Sequence, residues 1–233
     1  MKKNPWTTTI NKTVDFEQKP GLTSFINPYS FLLLENEYEI AEKIDFWHID
    51  GISLVKAINR SFSKNERRLS FDDTSLAPIV FNFSKENNLK IAIIGTEEKY
   101  IHKAVHNIQR KHDVNIDFYR NGYFKNEQEK LDCYQILIEK NIDVVISGMG
   151  TPHQENFLIG LKERGWNGYG YTCGGYLHQI ASSETYYPTL FNKLELRWLY
   201  RIIDEPKLVK RYLVYYPLFF FKFNSFRLKI QNN

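Results

Sequence analysis

Cysteine is scarce in this chain of 233 residues: Cys133 and Cys173 are the two present. That is too few to staple a fold with disulfides or to build a cysteine zinc cluster, so two buried thiols in a reducing compartment are expected. Long apolar runs are missing as well. No stretch reaches the roughly 18 to 20 apolar residues that span a bilayer as a helix. The polar, threonine-rich residues 1–11 also lack the apolar run of a secretory signal. Cytoplasmic residence is the expectation. Internal repeats and low-complexity tracts are absent, and 42% apolar with 25% charged residues excludes a disordered or collagen-like chain.

Several reaction chemistries lack their sequence marks. There is no D-x-D pair. The six histidines (48, 102, 106, 112, 153 and 178) show no ligand spacing supported by carboxylates, and His102 with His106, four apart on one helix, suits a surface better than a metal. No G-x-S-x-G elbow occurs, and neither cysteine has an obvious histidine partner, which leaves nucleophilic hydrolysis unsupported. The P-loop pattern is missing. No metal and no cofactor is expected.

Acidic residues are absent from Pro206 onward, where Lys207, Lys210, Arg211, Lys222, Arg227 and Lys229 all fall. The net charge of +4 therefore arises in the tail, and the body before it is slightly acidic. Eight aromatics share that tail, among them Tyr212, Tyr215, Tyr216 and the run Phe219, Phe220, Phe221. Basic groups around a short aromatic segment suit an anionic membrane surface. Stacking on nucleic acid and packing as a helix on its own domain or on another subunit are the rival readings. The slight acidity of the body argues against nucleic acid.

What is present is alternation: short apolar runs followed by longer amphipathic ones, the pattern of βα units feeding a parallel sheet. Strands are expected at residues 46–49, 90–94, 115–119, 143–147 and 168–172. Helices are expected at 29–43, 52–60, 97–111, 127–140, 153–164 and 188–203, with a further helix in the tail. Residues 61–77 read as a long loop, a place where lids occur. The cluster Arg67, Arg68, Asp72 and Asp73 within it reads as a solvated surface.

In a doubly wound sheet, ligands bind beyond the carboxyl ends of the strands. The most informative of these ends is Gly148-Met149-Gly150-Thr151-Pro152. Its glycines let backbone amides approach a phosphate, and Pro152 opens a helix whose N-terminus attracts anions. As a dinucleotide fingerprint it is incomplete, because His153 stands where the third glycine belongs, so an NAD-dependent oxidoreductase is weakly supported. Glu155 reads as a first-turn residue matched to the helix dipole. Gln154 stands at the mouth of the turn, where an amide can orient a sugar or phosphate oxygen. Asp50 ends an apolar strand and faces either the ligand crevice or its own turn backbone.

Taken in order, Asn27-Pro28, Asp50-Gly51-Ile52, Arg68 through Asp73, residues 90–95, Asn121-Gly122-Tyr123-Phe124, GMGTPHQE at 148–155, Gly174-Gly175, Trp198-Leu199-Tyr200-Arg201 with Glu205-Pro206, and Arg211-Tyr212-Leu213 form a pattern. It resembles the WecG/TagA/CpsF glycosyltransferases of bacterial cell-surface polysaccharide synthesis, from about residue 23 to 216. The resemblance implies a Rossmann-like α/β catalytic domain over residues 1–193 and a helical, membrane-associating appendage over 194–233. It implies an inverting, metal-independent transfer of a sugar, N-acetylmannosamine in the best-known members, from a UDP-sugar to an undecaprenyl-diphosphate-linked sugar. The work would be peripheral, at the inner face of the cell membrane.

By the same match, Asp50 is implied as the base and Arg68 as the leaving-group contact. Donor or substrate contacts are implied at Asn27, Gly148, Gly150, Thr151, Gln154, Gly174, Gly175 and His178, with Arg201 and Arg211 from the appendage. His178, Phe25 and Arg197 depart from the family pattern, which bears on base and sugar specificity. Two alternatives stay open at this point: a nucleotide-binding regulatory module of the same fold without catalysis, and self-association of the chain.

Overall fold

The structure, a computed structural model, describes residues 4–182 and 208–231. Six strands run parallel in one sheet: β1 (Gly21–Ile26), β2 (Phe46–Ile49), β3 (Ile91–Gly95), β4 (Phe118–Arg120), β5 (Val144–Gly148) and β6 (Tyr169–Thr172), in the order β2-β1-β6-β5-β3-β4. The helices are α1 (Pro5–Asn11), α2 (Pro28–Leu33), α3 (Tyr38–Lys43), α4 (Ile52–Phe62), α5 (Leu76–Glu86), α6 (Glu98–His112), α7 (Glu127–Glu139), α8 (His153–Lys162), α9 (Tyr176–Ser182) and α10 (Tyr216–Gln231).

Strand side chains alternate between two buried clusters, as the period of two demands. Ala92, Ile94 and Val145 pack with α1–α4, α7, α8 and α10 on one face. Ile91, Ile93, Val144 and Ile146 pack with α5, α6 and α9 on the other. Both faces are covered, which is why these strands read as continuous β-branched runs. The result is a Rossmann-like α/β/α sandwich, as the alternation implies.

Four elements go beyond the expectations: α1, β1, α5 and α9. Others differ in extent. The helix expected over 29–43 divides into α2, a 3₁₀ turn (Leu34–Asn36) and α3. At the division, the Trp6 indole N–H takes the Phe31 carbonyl at 2.7 Å, an acceptor that an unbroken helix would need for itself. The strand expected over 115–119 shrinks to the edge strand β4. The long loop shortens to residues 63–75, because α4 runs on to Phe62, whose ring meets Phe223 and Phe226.

The tail packs on its own domain. Phe219, Phe223 and Phe226 of α10 are buried with Trp6 and Phe31. Each such ring contributes roughly 1.5–3 kcal/mol relative to leaving it in water, so the helix is part of the core of this face. Other tail side chains face outward: Phe221 of α10 is 74% exposed, and Leu213, in the turn before it, 69%. The boundary expected between residues 193 and 194, the helix expected over 188–203 and the W-L-Y-R segment with Arg201 all lie outside the described residues. No helix of the described residues is long and apolar enough to cross a membrane.

Candidate active site

Parallel registers bring the strand ends level. Ile26 pairs with Ile49, Gly95 with Gly148, and Ser147 with Thr172. The next residues along each strand therefore share one edge of the sheet, and a cavity of about 400 Å³ opens over it. Its wall includes Asn27 after β1, Asp50 after β2, Thr96 after β3, Gly148, Gly150 and Thr151 after β5, and Gly174 and Gly175 after β6. Asp50 and the glycine turn thus line the same cleft.

The Asp50 carboxyl is 34% exposed and accepts from Arg68 Nη2 at 3.0 Å. The same nitrogen donates to Ser70 Oγ at 2.8 Å and Asp72 Oδ2 at 3.2 Å. Burial works against the guanidinium charge, but Asp50 and Asp72 together hold its pKa above the usual value. The cluster expected to be a solvated surface is therefore cross-tied, and sequence alone gave no sign of it because the partners come from other elements. A backbone bond from Leu69 N to Ile49 O, 2.9 Å, lays the loop along the end of β2. The loop's far side is anchored by Asp73, which accepts from Tyr176 Oη at 2.8 Å, Lys111 Nζ at 2.8 Å and His112 Nε2 at 3.0 Å.

The turn at 148–152 has the backbone its glycines allow. Gly150 sits at φ 77°, in the region that favours glycine. A Cβ on Gly148 would lie 2.8 Å from both Cys173 Sγ and Leu177 Cδ1. Together these let main chain, not side chain, form this wall. The ten-residue helix α8 starts just beyond, at His153, and brings the positive end of its dipole to the turn, with the Gln154 N–H donating to Gly150 O and the Asn156 N–H to Pro152 O, both at 3.0 Å.

Below the turn, the structure corrects the reading of Glu155 and places Gln154 in the lining of the cleft. Glu155 is no exposed first-turn carboxylate: it is fully buried, with Oε1 accepting from Ser24 Oγ at 2.9 Å, Thr151 Oγ1 at 3.0 Å and Gln154 Nε2 at 3.0 Å. Burial pushes its carboxyl above the ordinary range. Gln154, expected at the mouth, is 3% exposed, and its Oε1 takes the Gly174 N–H at 3.2 Å. Asn27 caps α2, its Oδ1 accepting from Tyr29 N and Ser30 N at 3.0 Å each. A cap of this kind is the ordinary use of asparagine before a helix, and it coexists with Asn27 lining the cleft.

The remaining walls come from α9 and the tail. His178 meets the ring of Tyr100 edge-on at 4.6 Å between centroids. Arg211, in a π-helical turn (Arg211–Tyr215), lies over the Tyr29 ring at 4.2 Å and reaches the cleft, and Tyr215 also touches Tyr29. Among the described residues, the tail thus supplies Arg211 to the site. Cys173 is buried with its thiol pushed up by desolvation, and Cys133, pushed up to about 11, sits in the core of the opposite face. Neither is disulfide-bonded. Among the described residues, no group of three or more His, Cys, Asp or Glu is placed to hold a metal ion.

The arrangement brings the glycine turn and the cations Arg68 and Arg211, which can hold an anion, into one cavity with the Asp50 carboxylate, itself ion-paired with Arg68. The family model for glycosyl transferases of the WecG/TagA/CpsF type matches residues 3–233. The chain is also similar to the UDP-Gal:alpha-D-GlcNAc-diphosphoundecaprenol beta-1,4-galactosyltransferase of Shigella boydii, with 36% identity over 220 residues, 94% of this chain and 92% of the relative.

Proposed function

The chain belongs to the WecG/TagA/CpsF family of glycosyl transferases, and from that premise we propose that it moves a hexose from a UDP-sugar to a sugar carried on a polyprenyl diphosphate. The observation that carries this reading is the placing of Asp50 and the 148–152 turn in one cavity. Asp50 takes the proton of the acceptor hydroxyl as that oxygen attacks the anomeric carbon. The bond to the UDP oxygen breaks on the opposite face, which inverts the sugar. Charge that develops on the departing diphosphate is met by the positive end of α8 beside the glycine turn, and by the guanidiniums of Arg68 and Arg211. Asn27, Gly174, Gly175 and His178 line the remainder of the donor site, and Thr151 and Gln154 support it from beneath.

The relative's name makes UDP-galactose the first donor to test, ahead of the UDP-N-acetylmannosamine that the resemblance implies. The experiment is turnover by the purified chain with each UDP-sugar and a short-chain polyprenyl-diphosphate-linked N-acetylglucosamine. A β-linked or other inverted product from one of them is expected. UDP binding without turnover of any donor would leave the non-catalytic nucleotide-binding module in its place.

Access to a lipid-borne acceptor assigns a role to the tail's outer face. Leu213, Val214, Leu218 and Phe221 are exposed there beside the exposed Lys210, while Arg211 turns to the cleft and Lys222 pairs with Glu35; apolar side chains with a flanking cation suit an anionic membrane surface. The protein would then work peripherally on the cytoplasmic face of the cell membrane. Removing the whole tail is a poor test, because it also takes Phe219, Phe223 and Phe226 out of the core. Leu213→Ser with Phe221→Ser spares them, and should reduce sedimentation with anionic vesicles while leaving the melting temperature unchanged.

A further inference from the structure

Beneath the glycine turn lies a carboxyl that the transfer chemistry does not use. Three donors converge on Glu155 Oε1, while Oε2, equally buried, has no hydrogen-bond partner among the described residues. The groups that hold it are two hydroxyls and an amide, none of them charged. A neutral carboxylic acid fits this asymmetry, since its carbonyl oxygen accepts and its hydroxyl carries no charge. A carboxylate would leave an anionic oxygen buried without a partner, at a much larger desolvation cost. Burial raises the group's pKa in the same sense.

What Glu155 holds is the frame of the cleft. From Glu155 the chain of bonds runs through Gln154 to the Gly174 backbone N–H, tying the turn after β5 to the turn after β6. Through Ser24, whose hydroxyl also meets Thr172 Oγ1 at 2.9 Å, it ties both to β1. We propose that Glu155 is a positioning residue of the donor site, a neutral acid that fixes Thr151, Gln154 and β1 beneath the diphosphate without adding a negative charge there. The inference rests on the reading that this turn binds the donor diphosphate. Neutrality matters because a second anion within a few ångströms, in a poorly hydrated setting, would repel the ligand strongly.

The test is equilibrium binding of UDP, the part common to every candidate donor, to the full chain and to its Glu155→Gln and Glu155→Leu variants. Glutamine keeps an accepting oxygen without charge, so Glu155→Gln should bind UDP within about threefold of the parent, whereas Glu155→Leu removes the acceptor on which Ser24, Thr151 and Gln154 converge and should bind at least about tenfold more weakly. Infrared spectra at neutral pH should show a protonated-carboxyl C=O band that Glu155→Gln lacks. Binding by Glu155→Gln as weak as that of Glu155→Leu would mean a carboxylate is required and would overturn the proposal. Parental affinity in Glu155→Leu, or no such band, would overturn it too. Failure of the parent to bind UDP would instead strike the donor reading itself, and this inference with it.

Discussion

Asp50 and Glu155 are both carboxyl groups placed near strand ends of one cleft, and they differ in almost everything else. Asp50 stands at the rim, a third exposed, with a guanidinium at 3.0 Å. Glu155 lies under the floor, out of water, among hydroxyls and an amide. In the proposed reading the rim carboxyl is the one that takes a proton, while burial without a charged partner raises the pKa of the other. Environment divides the two roles, and the residue types alone could not.

The largest expected effect would break the comparison at its rim. Asp50→Asn should lower the turnover rate by about 10² to 10⁴ with an unchanged melting curve, and an undiminished rate would remove the base assignment. Next comes the cation that distinguishes the two sites. Arg68→Ala should reduce kcat/KM by roughly 10², the usual scale for one lost donor to a developing anion, read in steady-state kinetics with UDP-galactose.

The pH dependence of stability sharpens the contrast further. Because the folded pKa of Glu155 lies above its unfolded value, its contribution is complete below that unfolded value and diminishes as pH rises toward the folded one. The slope is at most about 1.4 kcal/mol per pH unit. Urea titrations at several pH values should show this decline in the parent chain and not in Glu155→Gln.

Asp73 gives the opposite sign and the smallest effect. Burial works against its charge, but bonds from His112, Lys111 and Tyr176 hold its pKa below the usual value. Its contribution is present above the unfolded value and lost as pH falls through the folded one. Asp73→Asn should cost about 1–2 kcal/mol at neutral pH and flatten the acid limb of the stability curve.

Legibility in the sequence followed burial. The runs FWHI, KIAII and DVVIS are strands because parallel strands covered on both faces are apolar throughout. By contrast GLTSFI escaped notice, although β1 is central, because Thr23 and Ser24 interrupt its apolar run. Ser24 is fully buried nonetheless, its hydroxyl committed to Glu155 and Thr172. Glu155 was misjudged for the same reason: at the start of a helix a glutamate ordinarily faces water. The signal that could have flagged it is the apolar Phe157-Leu158 that follows at once, marking a buried start to α8. Arg68 and Asp73 read as surface charge because Asp50, just after β2, and Lys111, His112 and Tyr176, on α6 and α9, lie far off in sequence.

The order of apolar runs and glycine turns, by itself, determined a parallel α/β sheet with ligand chemistry at its carboxyl edge, and the motif set identified the family. Those features are local, since a strand's burial and a turn's backbone are written in adjacent residues. Tertiary structure alone decided that the tail's phenylalanines join the core, that Arg68 meets Asp50, and that Glu155 is dry. Each depends on which distant segment arrives beside it, and the free energy of a buried ring or an unpaired carboxyl is set by those neighbours.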